Sequence, residues 1–222
     1  MKLFGASHLA AIVATLVVAV SLPLAARFRP GRWTRVVAIA LAVILVANEV
    51  GWWAAVALRG EWGWDYALPF SLCDAAGFVA AAALLTRRRG LVEVAYFWGL
   101  AGTVQAIITP DLGHDFPNYF YFQYFVQHTG IVVAAIFLTV GLRLTPRRGA
   151  VLRMVVISLG FTALAALADV ITHGNYMYLA RKPPGGSLLD YMGPWPLYIL
   201  AGVPVAAASF LLLNLPFRRV SE

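Results

Sequence analysis

Cysteine occurs once in this 222-residue sequence, at Cys73. That excludes an intramolecular disulfide and any cluster of cysteine ligands around a metal. Charge is scarce too. Asp, Glu, Lys and Arg make up 12% of the residues, roughly half their share in an ordinary soluble domain. Repeats, low-complexity tracts and polar linkers are missing, so residues 1–222 read as one domain. The four histidines are His8, His114, His128 and His173, and no pair has the i, i+4 spacing that puts two metal ligands on one helix face. No metal or cofactor is expected.

What is abundant is apolar. Hydrophobic residues make up 61% of the chain, and the mean hydropathy is +0.78. The excess runs along the whole sequence, as in a protein that faces lipid. The net charge of +7 does not point to nucleic acid, because the arginines punctuate apolar segments as topology signals do. Runs of about 20 apolar residues give seven candidate spans: residues 7–26, 33–58, 66–86, 91–109, 124–144, 151–172 and 195–217. The first lacks a signal-peptide cleavage site and counts as a helix. The expected fold is all-α, a polytopic transmembrane helical bundle of about seven spans. The connections "RFRPGRWTR", "RRR", "RLTPRRGAVLR" and the final "FRR" alternate with acidic and aromatic ones. The positive-inside rule puts the arginine-rich set in the cytoplasm, with the N-terminus outside and the C-terminus cytoplasmic. Trp62, Trp64, Tyr119, Tyr121, Tyr124, Tyr176, Tyr178, Tyr191 and Trp195 suit an interfacial aromatic belt.

Ionisable side chains inside a membrane are costly and usually functional or paired. At 1.5 Å per helical residue, the polar residues of the spans gather near the outer end: His8, Asn48 and Glu49, Cys73 and Asp74, Gln105 and Asp111, His128, Asp169, His173 and Asn175. The inner halves are nearly bare, with Glu93 the main exception. A lone buried cysteine is ordinarily a small hydrophobe. Pro69, however, resembles an early-helix proline, which puts Cys73 near a helix N-terminus, where the dipole favours a thiolate. His128 lies at similar depth and suits a general base, with Asp74 a group that could orient it. The bland reading of His128 is a packing histidine bonded to a neighbouring helix. Arg181 and Lys182 form the only adjacent basic pair on the outer side, suited to a phosphate or to snorkelling.

The blocks "LPFSLCD", "YFWGLAGTVQAIITPDL", "FVQHTGI", "DVITHGNYMYLARKP" and "SLLDYMGPWPLYI" resemble, in order, the YwaF family of bacterial integral membrane proteins. That family is similar to an animal transmembrane acyltransferase that moves polyunsaturated chains between phospholipids through a catalytic cysteine. It is more distantly similar to the androgen-induced membrane hydrolases, which pair a threonine nucleophile with a histidine. The resemblance implies that Cys73 is the nucleophile and His128 its base, although Thr129 here separates the histidine from Gly130. It implies a multi-pass protein of the bacterial cell membrane that acts on a membrane phospholipid or lysophospholipid. Asn48, Glu49, Asp74, Gln105, Asp111, Asp169, Asn175, Arg181 and Lys182 are then candidates for substrate binding or oxyanion stabilisation. Asn48, Gln105 and Asn175 carry the amide donors. A lipid hydrolase using the same pair is the nearest alternative. A small-solute transporter with Glu49 and Asp169 as proton carriers follows, and a structural partner protein comes last.

Overall fold

A computed structural model describes residues 1–183 and 187–220. Residues 184–186, between the last two quoted blocks, and the side chains of the arginines in the final "FRR", lie outside what is described. Among the described residues every regular element is helical. In chain order they are α1 (Ala6–Phe28), α2 (Arg32–Leu58), α3 (Leu72–Thr86), α4 (Arg89–Ile108), α5 (Tyr119–Gly141), α6 (Ala150–Thr172) and α7 (Leu197–Asn214). Single π-helical turns interrupt α4 at Gly99–Thr103 and α5 at Phe137–Gly141. Six helices are long and apolar enough to cross a membrane, counting α7 with the turn that follows it. The chain is a multi-pass helical membrane protein.

The third expected span, residues 66–86, needs correction. Its helix starts only at Leu72 and has 15 residues, about 22 Å at 1.5 Å each, short of a ~30 Å hydrocarbon core. Pro69 has no N–H and restricts the residue before it, so the chain turns before Ser71, whose extended backbone starts α3. Tyr176 holds this turn: its hydroxyl donates to the Trp64 carbonyl at 2.7 Å and accepts from the Leu68 N–H at 3.0 Å. Helix α5 begins at Tyr119 rather than Tyr124, because the Asn118 side chain accepts the Phe120 N–H at 2.9 Å and caps it.

Helices α3, α4 and α5 form the centre, with α1 and α2 on one side and α6 and α7 on the other. The most apolar stretch of α5 is 72% buried, against 22% in α1, α2 and α6. Alanines make the central contacts: Ala76, Ala80, Ala83, Ala95 and Ala134 are completely buried, and such small residues let helix backbones approach closely. The outer helices present Leu16, Val36, Val43, Leu152, Val156 and Val170 outward, an apolar surface suited to lipid.

Short connections put the arginine-rich turns at one end of the bundle and the aromatic, acidic loops at the other. Glu93, 3% exposed, explains its own place at the basic end. Arg147 donates to it from its backbone N–H, Nε and Nη2, and Arg153 from Nε and Nη2, all at 2.9–3.1 Å. One buried carboxylate thereby ties α4 to the loop before α6 and to α6 itself. Gly149, with φ +73°, supplies the left-handed turn that starts α6.

Candidate functional site

Cys73 is the second residue of α3, in a first turn whose N–H groups have no partner within the helix. Its Sγ lies 3.8 Å from the Thr103 hydroxyl. Thr103 is 1% exposed and closes the π-helical turn of α4, a distortion frequent at functional sites. Gly102 allows this approach, since a Cβ there would stand 2.8 Å from Leu72 Cδ2. The thiol is within electrostatic range of Glu49 and Asp74, and of the phenols of Tyr124 and Tyr178.

Cys73 and His128 share no hydrogen bond; Tyr124, within electrostatic range of the thiol, packs on the histidine. Its ring stacks on the imidazole with centroids 4.0 Å apart, and its hydroxyl donates to the Ala106 carbonyl at 2.9 Å. His128 Nδ1 lies 2.7 Å from the Tyr124 carbonyl. A carbonyl only accepts, so this contact assigns the proton to Nδ1 and leaves Nε2 as the basic nitrogen of the neutral ring. Thr129, the departure from a His-Gly pair, turns away and bonds Thr15 of α1 at 2.6 Å.

From the loop after α6, Tyr178 donates to Asp111 at 2.7 Å. Burial, with this hydrogen bond and the neighbouring carboxylate charge, holds the Tyr178 phenol above its ordinary value, so it remains a neutral donor. Asn48 donates to the Gln123 carbonyl and to Gln127 Oε1, both at 3.0 Å. Gln127 is itself packed against Gly77 of α3, where a Cβ would come within 2.3 Å of Nε2. Glu49 is 3% exposed and makes no hydrogen bond to any described residue.

The remaining candidates have local tasks. Gln105 is exposed and donates to Thr109 at 2.8 Å. Asn175 accepts from the N–H groups of Ala180 and Arg181 and donates to the Arg181 carbonyl, which spends its amide on the loop. Asp169 accepts the Tyr176 N–H through Oδ1 at 2.7 Å, while its buried Oδ2 has no partner. Lys182 lies over the Tyr198 ring at 5.4 Å and 3.9 Å from Asp190. His8 is fully buried between the Phe4 N–H and the Ile107 carbonyl, a packing role.

Thr103, Tyr124 and Tyr178 were absent from the sequence candidates. Both tyrosines had been assigned to the aromatic belt, and they lie half-buried with their hydroxyls bonded inward. Trp64, Tyr119, Tyr191 and Trp195 are exposed as belt residues should be. The signal for Thr103 was a hydroxyl in "GLAGT", an apolar run with two glycines.

A cavity of about 380 Å³ lies between α4, α6, α7 and the 188–192 segment. Leu72, Ala101 and Gly102, the chain neighbours of Cys73 and Thr103, form part of its wall. It is not bounded by the polar cluster expected from the sequence. Glu49, Cys73, Gln105, His128 and Asp169 are not in its wall.

Fold and site together define a multi-pass helical membrane protein with polar groups concentrated at its aromatic end. The profile of the TMEM164 family matches residues 3–214, and the chain belongs to that family. An uncharacterized protein of Treponema pallidum (strain Nichols) is 30% identical over 159 residues, covering 70% of this chain and 64% of that protein. The chain thus matches less than two thirds of that relative's length. No solved structure matches it.

Proposed function

We propose that this protein is an integral membrane acyltransferase for glycerophospholipids, with Cys73 as nucleophile and His128 as base. The observation that carries the reading is the thiol at a helix N-terminus, against the Thr103 hydroxyl, with their chain neighbours Leu72 and Gly102 in the wall of an apolar cavity. The resemblance to the YwaF family and its cysteine-dependent animal relative supports the same assignment. In this reading the aromatic end faces outward, the arginine-rich end lies in the cytoplasm of a bacterial cell, and residues 1–222 act as one domain.

The chemistry follows from the groups present. His128 Nε2 takes the thiol proton as Sγ attacks the ester carbonyl carbon, and the carbonyl π electrons move onto oxygen. Collapse of this tetrahedral centre breaks the bond to the glycerol oxygen, which leaves with the proton from His128 as a lysophospholipid. A second lysophospholipid hydroxyl then gives its proton to His128 and attacks the thioester, and Cys73 leaves and is reprotonated. With water as acceptor the same intermediate gives hydrolysis. The Thr103 hydroxyl and the free N–H groups of the first turn of α3 are the oxyanion donors in this scheme, in place of Gln105 and Asn175, whose amides are already spent. Asn48 braces the α2 side, Glu49 stands within electrostatic range of the thiol, and Asp74 adjoins it in sequence. Asp111 fixes Tyr178, Asp169 fixes the loop at Tyr176, and Arg181 and Lys182 meet the phosphate.

The test is transfer of a labelled chain from phospholipid to lysophospholipid by purified protein in liposomes. Wild type transfers. Cys73→Ala and His128→Ala do not, and the double variant is no worse than either, because residues acting as one unit are non-additive. An active Cys73→Ala protein overturns the proposal.

A further inference from the structure

The cavity lined by Leu72 and Gly102 has a wall that decides what can enter it. Four hydroxyl-bearing residues line it, Ser158, Thr162, Tyr198 and Ser209, and each hydroxyl is occupied, that of Tyr198 by the Tyr178 carbonyl. Ser158 accepts the Trp98 indole N–H at 2.9 Å, Thr162 donates to the Ser158 carbonyl, and Ser209 to the Val205 carbonyl. Leu159, Met177, Leu189, Val203 and Phe210 contribute much of the rest. A polar solute would lose its hydration here and gain little in return. An alkyl chain loses nothing.

Length points the same way. Along α7 the wall runs from Tyr198 to Phe210, twelve steps or about 18 Å at 1.5 Å per residue. Half of a ~30 Å hydrocarbon core, the share of one leaflet, is about 15 Å. The groove is as long as a single acyl chain of one leaflet. Its upper end has matching charge. Lys182 stands over the ring of Tyr198, a wall residue, and Arg181 is next to it in sequence. The basic pair suits a phosphate, the wall suits a chain, and Leu72, the residue before Cys73, is part of that wall.

We infer that this groove holds the acyl chain that is transferred, and that Gly202 and Ala206 set how long that chain can be. The assignment rests on the acyl-transfer reading and adds its chain-binding subsite. Gly202 and Ala206 stand four residues apart, on one face of α7, and both line the groove. A Cβ at Gly202 would meet no atom within 4 Å, so the empty space there belongs to the groove. Ala206 lies one turn further, about 6 Å deeper.

The experiment uses the full-length protein in nanodiscs with phospholipids carrying one diazirine-tagged acyl chain, in a series of lengths. Mass spectrometry reads the photolabelled peptides, and chain transfer is measured alongside. In wild type, label is expected on α6 and α7 residues of the wall, and it persists in Cys73→Ala. Gly202→Phe should reduce labelling of the deeper wall at least tenfold for every length. Ala206→Phe should keep short chains and lose long ones, moving the length cut-off downward. Unchanged labelling and length preference in both variants overturns the groove assignment, even if Cys73→Ala is inactive. Label confined to the outward lipid-facing surfaces of α6 and α7 overturns it as well. If Cys73→Ala still transfers chains while the graded cut-off appears, the groove stands and the nucleophile assignment falls.

Discussion

Two glutamates in this bundle are equally buried, 3% exposed each, and differ in everything else. Glu93 at the basic end is saturated by five hydrogen bonds from Arg147 and Arg153. Glu49, in the half facing the aromatic end, bonds no described residue and lies within electrostatic range of Cys73 and Asp74. A buried charge survives when partners replace its hydration. Glu93 has that replacement and works as a structural rivet between α4 and α6. Glu49 does not, and a polar group kept in the membrane without a partner marks a place whose organisation serves something other than stability. One end holds the helices together. The other end, in the proposed function, holds the chemistry.

Mutations sharpen this contrast. Cys73→Ala has the largest expected effect, loss of acyl transfer, with a stability cost on the order of 1 kcal/mol for one deleted sulfur atom. Thermal unfolding in detergent measured beside lipid turnover separates the two. Glu93→Ala comes next and acts on the fold. It strands two guanidiniums, and because they are partly in solvent the expected loss is roughly 3 kcal/mol, the low end for breaking a buried pair. Glu49→Gln should leave the unfolding midpoint within about 1 kcal/mol of wild type, and a Glu49→Gln protein as unstable as Glu93→Ala would erase the comparison. Thr103→Val, which keeps shape and removes the hydroxyl beside the thiol, should slow transfer about tenfold or more. Its stability change should stay near 1 kcal/mol. The smallest effect belongs to Asp115. The Ser7 hydroxyl at 2.6 Å and the Phe116 N–H hold its carboxyl below the ordinary range. Its contribution is complete above the ordinary carboxylate value and fades as pH falls through the lowered folded value. Asp115→Asn should flatten only that acid limb in a pH series of unfolding midpoints.

The helices were legible because length and apolarity suffice to mark them. Helices α1, α2 and α6 fall within two residues of the expected bounds at both ends. The missed boundaries depend on local chemistry that hydropathy does not record, such as the Asn118 cap and the turn pinned by Tyr176. Cys73 and His128 stood out because a thiol and an imidazole are rare in such a sequence. Thr103 and Tyr124 did not, because Thr and Tyr are common in and beside membrane helices. Their placement arises from a π-helical turn and a ring stack between separate residues. For Gln105 and Asn175 the depth was readable and the local hydrogen bonds of the side chain were not.

The most direct measurement is the intact mass of the purified protein after brief incubation with phospholipid and no acceptor. The account predicts an adduct of one acyl chain, released by hydroxylamine and mapped to Cys73, and absent from Cys73→Ala and His128→Ala. Transfer without such an adduct, or an adduct that persists in Cys73→Ala, would contradict it.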